Sequence, residues 1–134
     1  MEQYNYNVTF EDYTKRHYRK NFAKKYKDKW DETENAIISV CEHIDNMLLH
    51  SRADLISTVG SYKLIKLDFA VAGTYMSPKA SGNRCILFVN EDMRSVRILL
   101  VYSKDEICEP NETQKWKSII QNKYEAIAQI FWIV

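Results

Sequence analysis

The stretch SGNRCILFVNEDMRSVRILLVYSKDE, Ser81 to Glu106, restricts the fold more than any other part of the chain. RCILFV and VRILLVY are apolar runs of strand length, and the six residues between them, NEDMRS, make a hairpin-length connection. They read as two antiparallel strands. Arg84 opens the first, and Tyr102 and Lys104 close the second.

The flanking segments extend this pair. YKLIKLDFAV places Leu64, Lys66, Asp68 and Ala70 on one face and Ile65, Leu67, Phe69 and Val71 on the other, a strand with one face buried. AGTYMSPKASGN carries Gly73, Pro78 and Gly82 and reads as a loop, and SRADLISTVG reads as a connector ending at Gly60. Near the start, YNYNVTF alternates as a short strand with Val8 and Phe10 on one face. Tyr18, Phe22 and Tyr26 recur every four residues, which predicts a helix near 11–27. The pair Asp31 and Glu34 then opens a second helix near 31–50, with Ile37, Cys41, Ile44 and Leu48 as its stripe. Asn111 and Gln114 start a last helix, in which Trp116, Ile119, Ile120 and Tyr124 face one way. The tail AIAQIFWIV is apolar enough that it must pack on the core or on a partner, and the core is the expected place.

The order strand, helix, helix, three strands, helix indicates an α+β fold: a helical hairpin packed on a small antiparallel sheet. An exposed sheet face beside the basic first helix is expected to form a shallow concave surface.

A chain of 134 residues fits one domain, 1–134. Three glycines and two prolines argue against a flexible linker or tail. No apolar run approaches the roughly 20 residues of a membrane span, and MEQYNYNVTF lacks the pattern of a signal peptide. A soluble, cytoplasmic protein without a membrane partner is expected. Cys41, Cys85 and Cys108 have no metal-ligand spacing and read as free thiols.

Net charge is +1, but Thr14 to Lys29 holds eight Lys or Arg and one Asp. Lys15, Arg16, Arg19, Lys20, Lys24 and Lys25 form a basic helix face opposite Tyr18, Phe22 and Tyr26. Such a face either contacts phosphates or is simply solvated.

Several chemistries lack support. There is no GxxxxGK[ST] loop, GxGxxG, HExxH or GxSxG, and His17, His43 and His50 lie in helical segments, so a nucleophile–His triad has no sequence support. What remains around the strands is Lys63, Lys66, Lys79, Arg84, Arg97, Tyr102 and Lys104. Cations over a sheet suit phosphate. RNA cleavage by the 2′-hydroxyl needs charge stabilisation, which an arginine supplies, and a proton acceptor and donor. A Tyr or Lys whose pKa is lowered by neighbouring cations is the candidate for the second role. Taken singly, each of these residues reads as an ordinary surface cation or, for Tyr102, a sheet aromatic.

Together, YKLIKLDFAV, SGNRCILFV and VRILLVYSKDEI resemble the RelE/ParE superfamily of bacterial type II toxins. Lys66 matches a basic position on the first strand, Arg84 a strand-opening arginine, and Tyr102 with Lys104 an aromatic-and-lysine ending. The resemblance implies a RelE-like fold and a metal-independent endoribonuclease, without cofactor, that cleaves mRNA on the ribosome. Arg84, Tyr102, Lys104 and Lys66 would be its catalytic residues. Lys79 and the basic helix would hold RNA, and a cognate antitoxin would be its partner. ParE-like members, which inhibit gyrase, and inactive relatives that only bind an antitoxin are the alternative. The chain departs from the pattern in the long loop before Arg84, in Ser103 between the aromatic and the lysine with Asp105 after it, and in its near-neutral charge.

Overall fold

The computed structural model describes residues 5–48, 52–107 and 110–132. Its strands are β1 Asn7–Phe10, β2 Ala53–Val59, β3 Tyr62–Phe69, β4 Asn83–Asn90 and β5 Ser95–Tyr102. They form one sheet in the order β1-β5-β4-β3-β2. β2, β3, β4 and β5 pair antiparallel, and β1 lies parallel to β5.

The sheet differs from the sequence expectation in two ways. Most of the connector SRADLISTVG is strand β2, so four antiparallel strands follow the helices, not three. β1 joins in parallel, so the sheet is mixed.

The helices before the sheet are α1 Asp12–Thr14, a π-helical turn Lys15–Arg19, α2 Lys20–Tyr26, α3 Asp28–Glu42 and α4 Ile44–Met47. The chain folds back at Lys27, whose φ is 51°. The rings of Phe22 and Trp30 stack with centroids 4.8 Å apart. Eight residues of straight helix would separate them by about 12 Å. α3 thus starts three residues before Asp31, and the stripe of Ile37, Cys41 and Ile44 is buried. The π turn interrupts the basic helix, so its cations do not follow one unbroken 3.6-residue face. The side chains of Tyr18 and Arg19 lie outside the described part, as do His50 and Cys108.

Bulky side chains cover both faces of the sheet. On one, Phe22, Trp30, Ile37 and Cys41 pack on Ile65, Leu67, Cys85, Leu87 and Ile98. On the other, α6 Glu112–Lys123 and α7 Glu125–Phe131 bring Trp116, Ile120, Ile127 and Ala128 onto Leu64, Ile86, Phe88 and Leu100. The apolar tail therefore packs on the core as far as residue 132. The expected open sheet face is instead this second core, because the C-terminal segment is two helices long and covers it. Trp30 and Trp116 anchor the two layers, and truncating a buried tryptophan to alanine costs about 3–5 kcal/mol.

A β-bulge interrupts the β4–β5 ladder. Ile86 pairs with Leu100 and Leu87 with Ile98, which leaves Leu99 as an extra residue on β5. Its carbonyl accepts the hydroxyls of Thr14, at the end of α1, and of Tyr124, at 2.8 Å, between α6 and α7. Cys41 and Cys85 are buried free thiols, and burial pushes the Cys41 thiol up to about 12.

Candidate functional site

Cross-strand register assembles the site. Asp68 on β3 stands opposite Arg84 on β4, which stands opposite Tyr102 on β5. The row lies where β3 and β5 end and β4 begins, so the loops leaving those strands surround it. Gly82, in the left-handed conformation at φ 76°, delivers the chain into β4. A Cβ there would meet Lys104 Cδ at 2.7 Å, so the lysine stem lies across the glycine backbone. Before it, α5 Pro78–Ser81 is capped by Ser77, whose Oγ accepts Ala80 N–H at 3.2 Å, and carries Lys79.

The residues beside the row are acidic. Arg84 Nε lies 3.4 Å from Asp68 Oδ1 and 3.4 Å from Glu112 Oε2. Neither approach has hydrogen-bond geometry, and Nε is buried without a hydrogen-bond partner. Glu112 is the first residue of α6, and its Oε2 also accepts the Tyr102 hydroxyl at 2.7 Å. Tyr102 is fully buried. Burial, reinforced by the Glu112 carboxylate, raises its pKa well above the ordinary tyrosine value, with Arg84 opposing weakly. The sequence reading expected neighbouring cations to lower it; burial and Glu112 raise it instead, and the hydroxyl donates to Glu112. Burial likewise raises the pKa of Asp68, against the pull of Arg84, Lys66 and Lys79.

Lys79, Gly82, Arg84, Lys104, Asp105 and Glu112 line a hollow of about 530 Å³. A second hollow of about 240 Å³ shares Lys104 and Asp105 with it and reaches Lys25, Tyr26 and Met76. A third, of about 210 Å³, continues past Ser103 to Asn21 and Phe22 on α2. Together they make a groove from the basic helix to the strand ends.

The structure thus brings Arg84, Tyr102, Lys104 and Lys79 together. Lys66 is half-buried two residues before Asp68 and does not line the hollow. Of the basic helix, Lys25 reaches the groove, while Lys15, Arg16, Lys20 and Lys24 are exposed outside it. Lys63 and Arg97 are at the opposite end of the sheet, paired with Glu91 and Glu11.

Sequence reasoning missed both acids. Asp68 was visible as the residue two after Lys66 on the same face. Glu112 had a weaker signal: an acidic first turn of the helix that follows the strand end.

No protein-family model and no curated protein matches the chain. Among solved structures, it is similar to a chain from the crystal structure of the archaeal RelE-RelB complex from Pyrococcus horikoshii OT3. The TM-score is 0.54 at 13% identity, over 75% of this chain and 96% of that one. At that identity the likeness concerns backbone architecture: the fold of this chain is RelE-like.

Proposed function

We propose that the protein is the toxin of a type II toxin–antitoxin pair and cleaves mRNA, without a metal ion, at the hollow beside Arg84. One observation carries the reading: Lys79, Arg84 and Lys104, from three separate segments of a RelE-like fold, line one open hollow. Cations from rigid strand ends and a capped turn are pre-positioned for phosphate oxygens, which strengthens their hold on charge developing at phosphorus. Arg84 lines the hollow and has the planar donor fork for that contact. Lys66 adds charge behind it. Tyr102 positions Glu112 and does not move protons itself. The basic helix extends the phosphate track toward a longer RNA or the ribosome. The cognate antitoxin is the expected protein partner, by extension from the complex in which the similar chain was solved. No helix among the described residues is long and apolar enough to cross a membrane, and the cytoplasm, where mRNA is translated, is the proposed site of action.

The test is induction of the chain in bacteria without a neighbouring antitoxin gene. The expected result is growth arrest with fragmented mRNA. Arrest with intact mRNA and altered DNA topology would replace this reading with a ParE-like one. One observation favours that second, non-catalytic reading: Arg84 already faces two carboxylates, which offset its charge.

A further inference from the structure

We propose that Glu112 is the general base of the cleavage reaction. The inference rests on the ribonuclease reading above and supplies a proton acceptor in place of Tyr102, whose hydroxyl is buried and donates to Glu112. Three facts point to it. Glu112 lines the hollow with Lys79, Arg84 and Lys104, so its carboxylate and the phosphate-directed cations face the same space. It is held from two sides, with the Tyr102 hydroxyl at 2.7 Å and Arg84 Nε at 3.4 Å both on Oε2. Its side chain is only 12% exposed, so it is not a freely swinging surface acid. A carboxylate fixed beside a guanidinium is suited to two linked tasks, taking a proton from an attacking hydroxyl and leaving the cation for the phosphate.

The step balances with solvent alone. The ribose 2′-hydroxyl gives its proton to the Glu112 carboxylate while its oxygen forms a bond to the adjacent phosphorus. Arg84 and Lys104 hold the phosphate oxygens as negative charge builds on them. The bond from phosphorus to the 5′-oxygen breaks, and that oxygen takes a proton from water, which the open hollow admits. The products are a 2′,3′-cyclic phosphate and a 5′-hydroxyl, and Glu112 returns its proton to solvent. Asp68 is the other acid in the row, but it is buried behind Arg84 and does not line the hollow. Asp105 does line it, yet it is exposed, and no described hydrogen bond or ion pair holds its side chain.

The experiment compares the purified wild-type chain, Glu112→Gln and Glu112→Asp in a translation extract and on free RNA. Binding is measured in parallel to the same RNA carrying a 2′-deoxy nucleotide at the cleaved position. The expected result is cleavage at least ~100-fold slower for Glu112→Gln, the usual scale for losing a positioned base, with deoxy-RNA binding within about twofold of wild type. Glu112→Asp, which keeps a carboxylate, should recover at least about a tenth of the rate. Glu112→Gln cutting as fast as wild type would overturn this role and leave the ribonuclease reading intact. Equal losses of cleavage and deoxy-RNA binding in both variants would make Glu112 a structural residue and overturn it too. A wild type that cuts no RNA in either assay would overturn the ribonuclease reading and this inference with it.

Discussion

Arg84 and Arg97 occupy opposite ends of the β4–β5 hairpin, and each faces acid. Their bonding differs. Arg97 forms a two-pronged pair with Glu11, with Nε to Oε2 at 2.9 Å and Nη2 to Oε1 at 3.0 Å. That hydrogen bonding raises the arginine's pKa, and its ring-face neighbour is Phe88. Arg84 approaches two carboxylates at 3.4 Å yet makes no hydrogen bond through Nε. Arg97 has used the donors that a phosphate would need, and it fastens β5 to the segment after β1. Arg84 Nε is buried beside its charge partners without a hydrogen bond to either. An arginine near acids is thus not self-evidently structural; what separates the two is that Arg97 is hydrogen-bonded to its carboxylate at two points, whereas Arg84 lines an open hollow.

The sharpest way to break this contrast is Arg84→Ala. We expect RNA cleavage to fall at least ~100-fold, since the cation at the phosphate is lost. We also expect a stability loss of about 3 kcal/mol in urea unfolding, because Asp68 is left buried without its partner. Adding Asp68→Ala should return most of the stability and none of the cleavage. Cleavage that survives Arg84→Ala would place Arg84 in the same class as Arg97.

A smaller effect is expected on the basic helix. Reversing Lys15 and Lys24 to Glu should weaken RNA binding by about tenfold near physiological salt. The log–log salt slope should drop by about one unit for each phosphate contact removed. Superimposable salt titrations for the wild type and the double variant would mean that this face is only solvated.

Arg97→Ala should cost about 1 kcal/mol, a modest figure because the guanidinium is 40% exposed and screened by solvent. Cleavage per folded molecule should not change. A tenfold drop in cleavage would erase the distinction between the two arginines.

The smallest effect is a pH slope. The folded pKa of Asp68 is raised above its ordinary value of 3.8, chiefly by burial. The folded state therefore holds the proton more tightly than the unfolded chain. The Asp68 contribution is most favourable below 3.8 and declines as pH rises through the raised folded value. The stability of wild type relative to Asp68→Asn should thus fall as pH climbs above 3.8. A difference that rises instead would mean that Arg84 outweighs burial.

The elements with regular spacing were legible. Alternation in YKLIKLDFAV predicted β3, and the apolar runs after Arg84 and Ser95 predicted β4 and β5. β2 was hidden because it is an edge strand with Leu55, Ile56 and Val59 exposed, and its ladder slips between Leu55 and Ser57, which spoils a two-residue period. The break at Lys27 carried no glycine or proline to announce it. At the site, Arg84, Tyr102, Lys104 and Lys79 were found as residue types, but their partners were not. Asp68 and Glu112 are 16 and 28 residues from Arg84 in the chain and meet it only through strand register and the return of α6. Tyr102 as a strand-end residue said nothing of its burial, because the layer that buries it comes later in the sequence.

Leu99 has a consequence of another kind. Along β5, Val96 and Ile98 face the N-terminal layer, Leu99 and Leu100 both face the C-terminal layer, and Val101 and Tyr102 alternate again from there. The bulge acts as a reading-frame shift written in side-chain direction. Without it, strict alternation would turn Tyr102 toward Trp30 and Phe22 and point Val101 at Glu112. Every residue of the site would still be present in the chain, and the site would be gone. Its composition is thus set at Asp68, Arg84, Tyr102 and Glu112, while its handedness is set three residues away, by one leucine with no chemistry of its own.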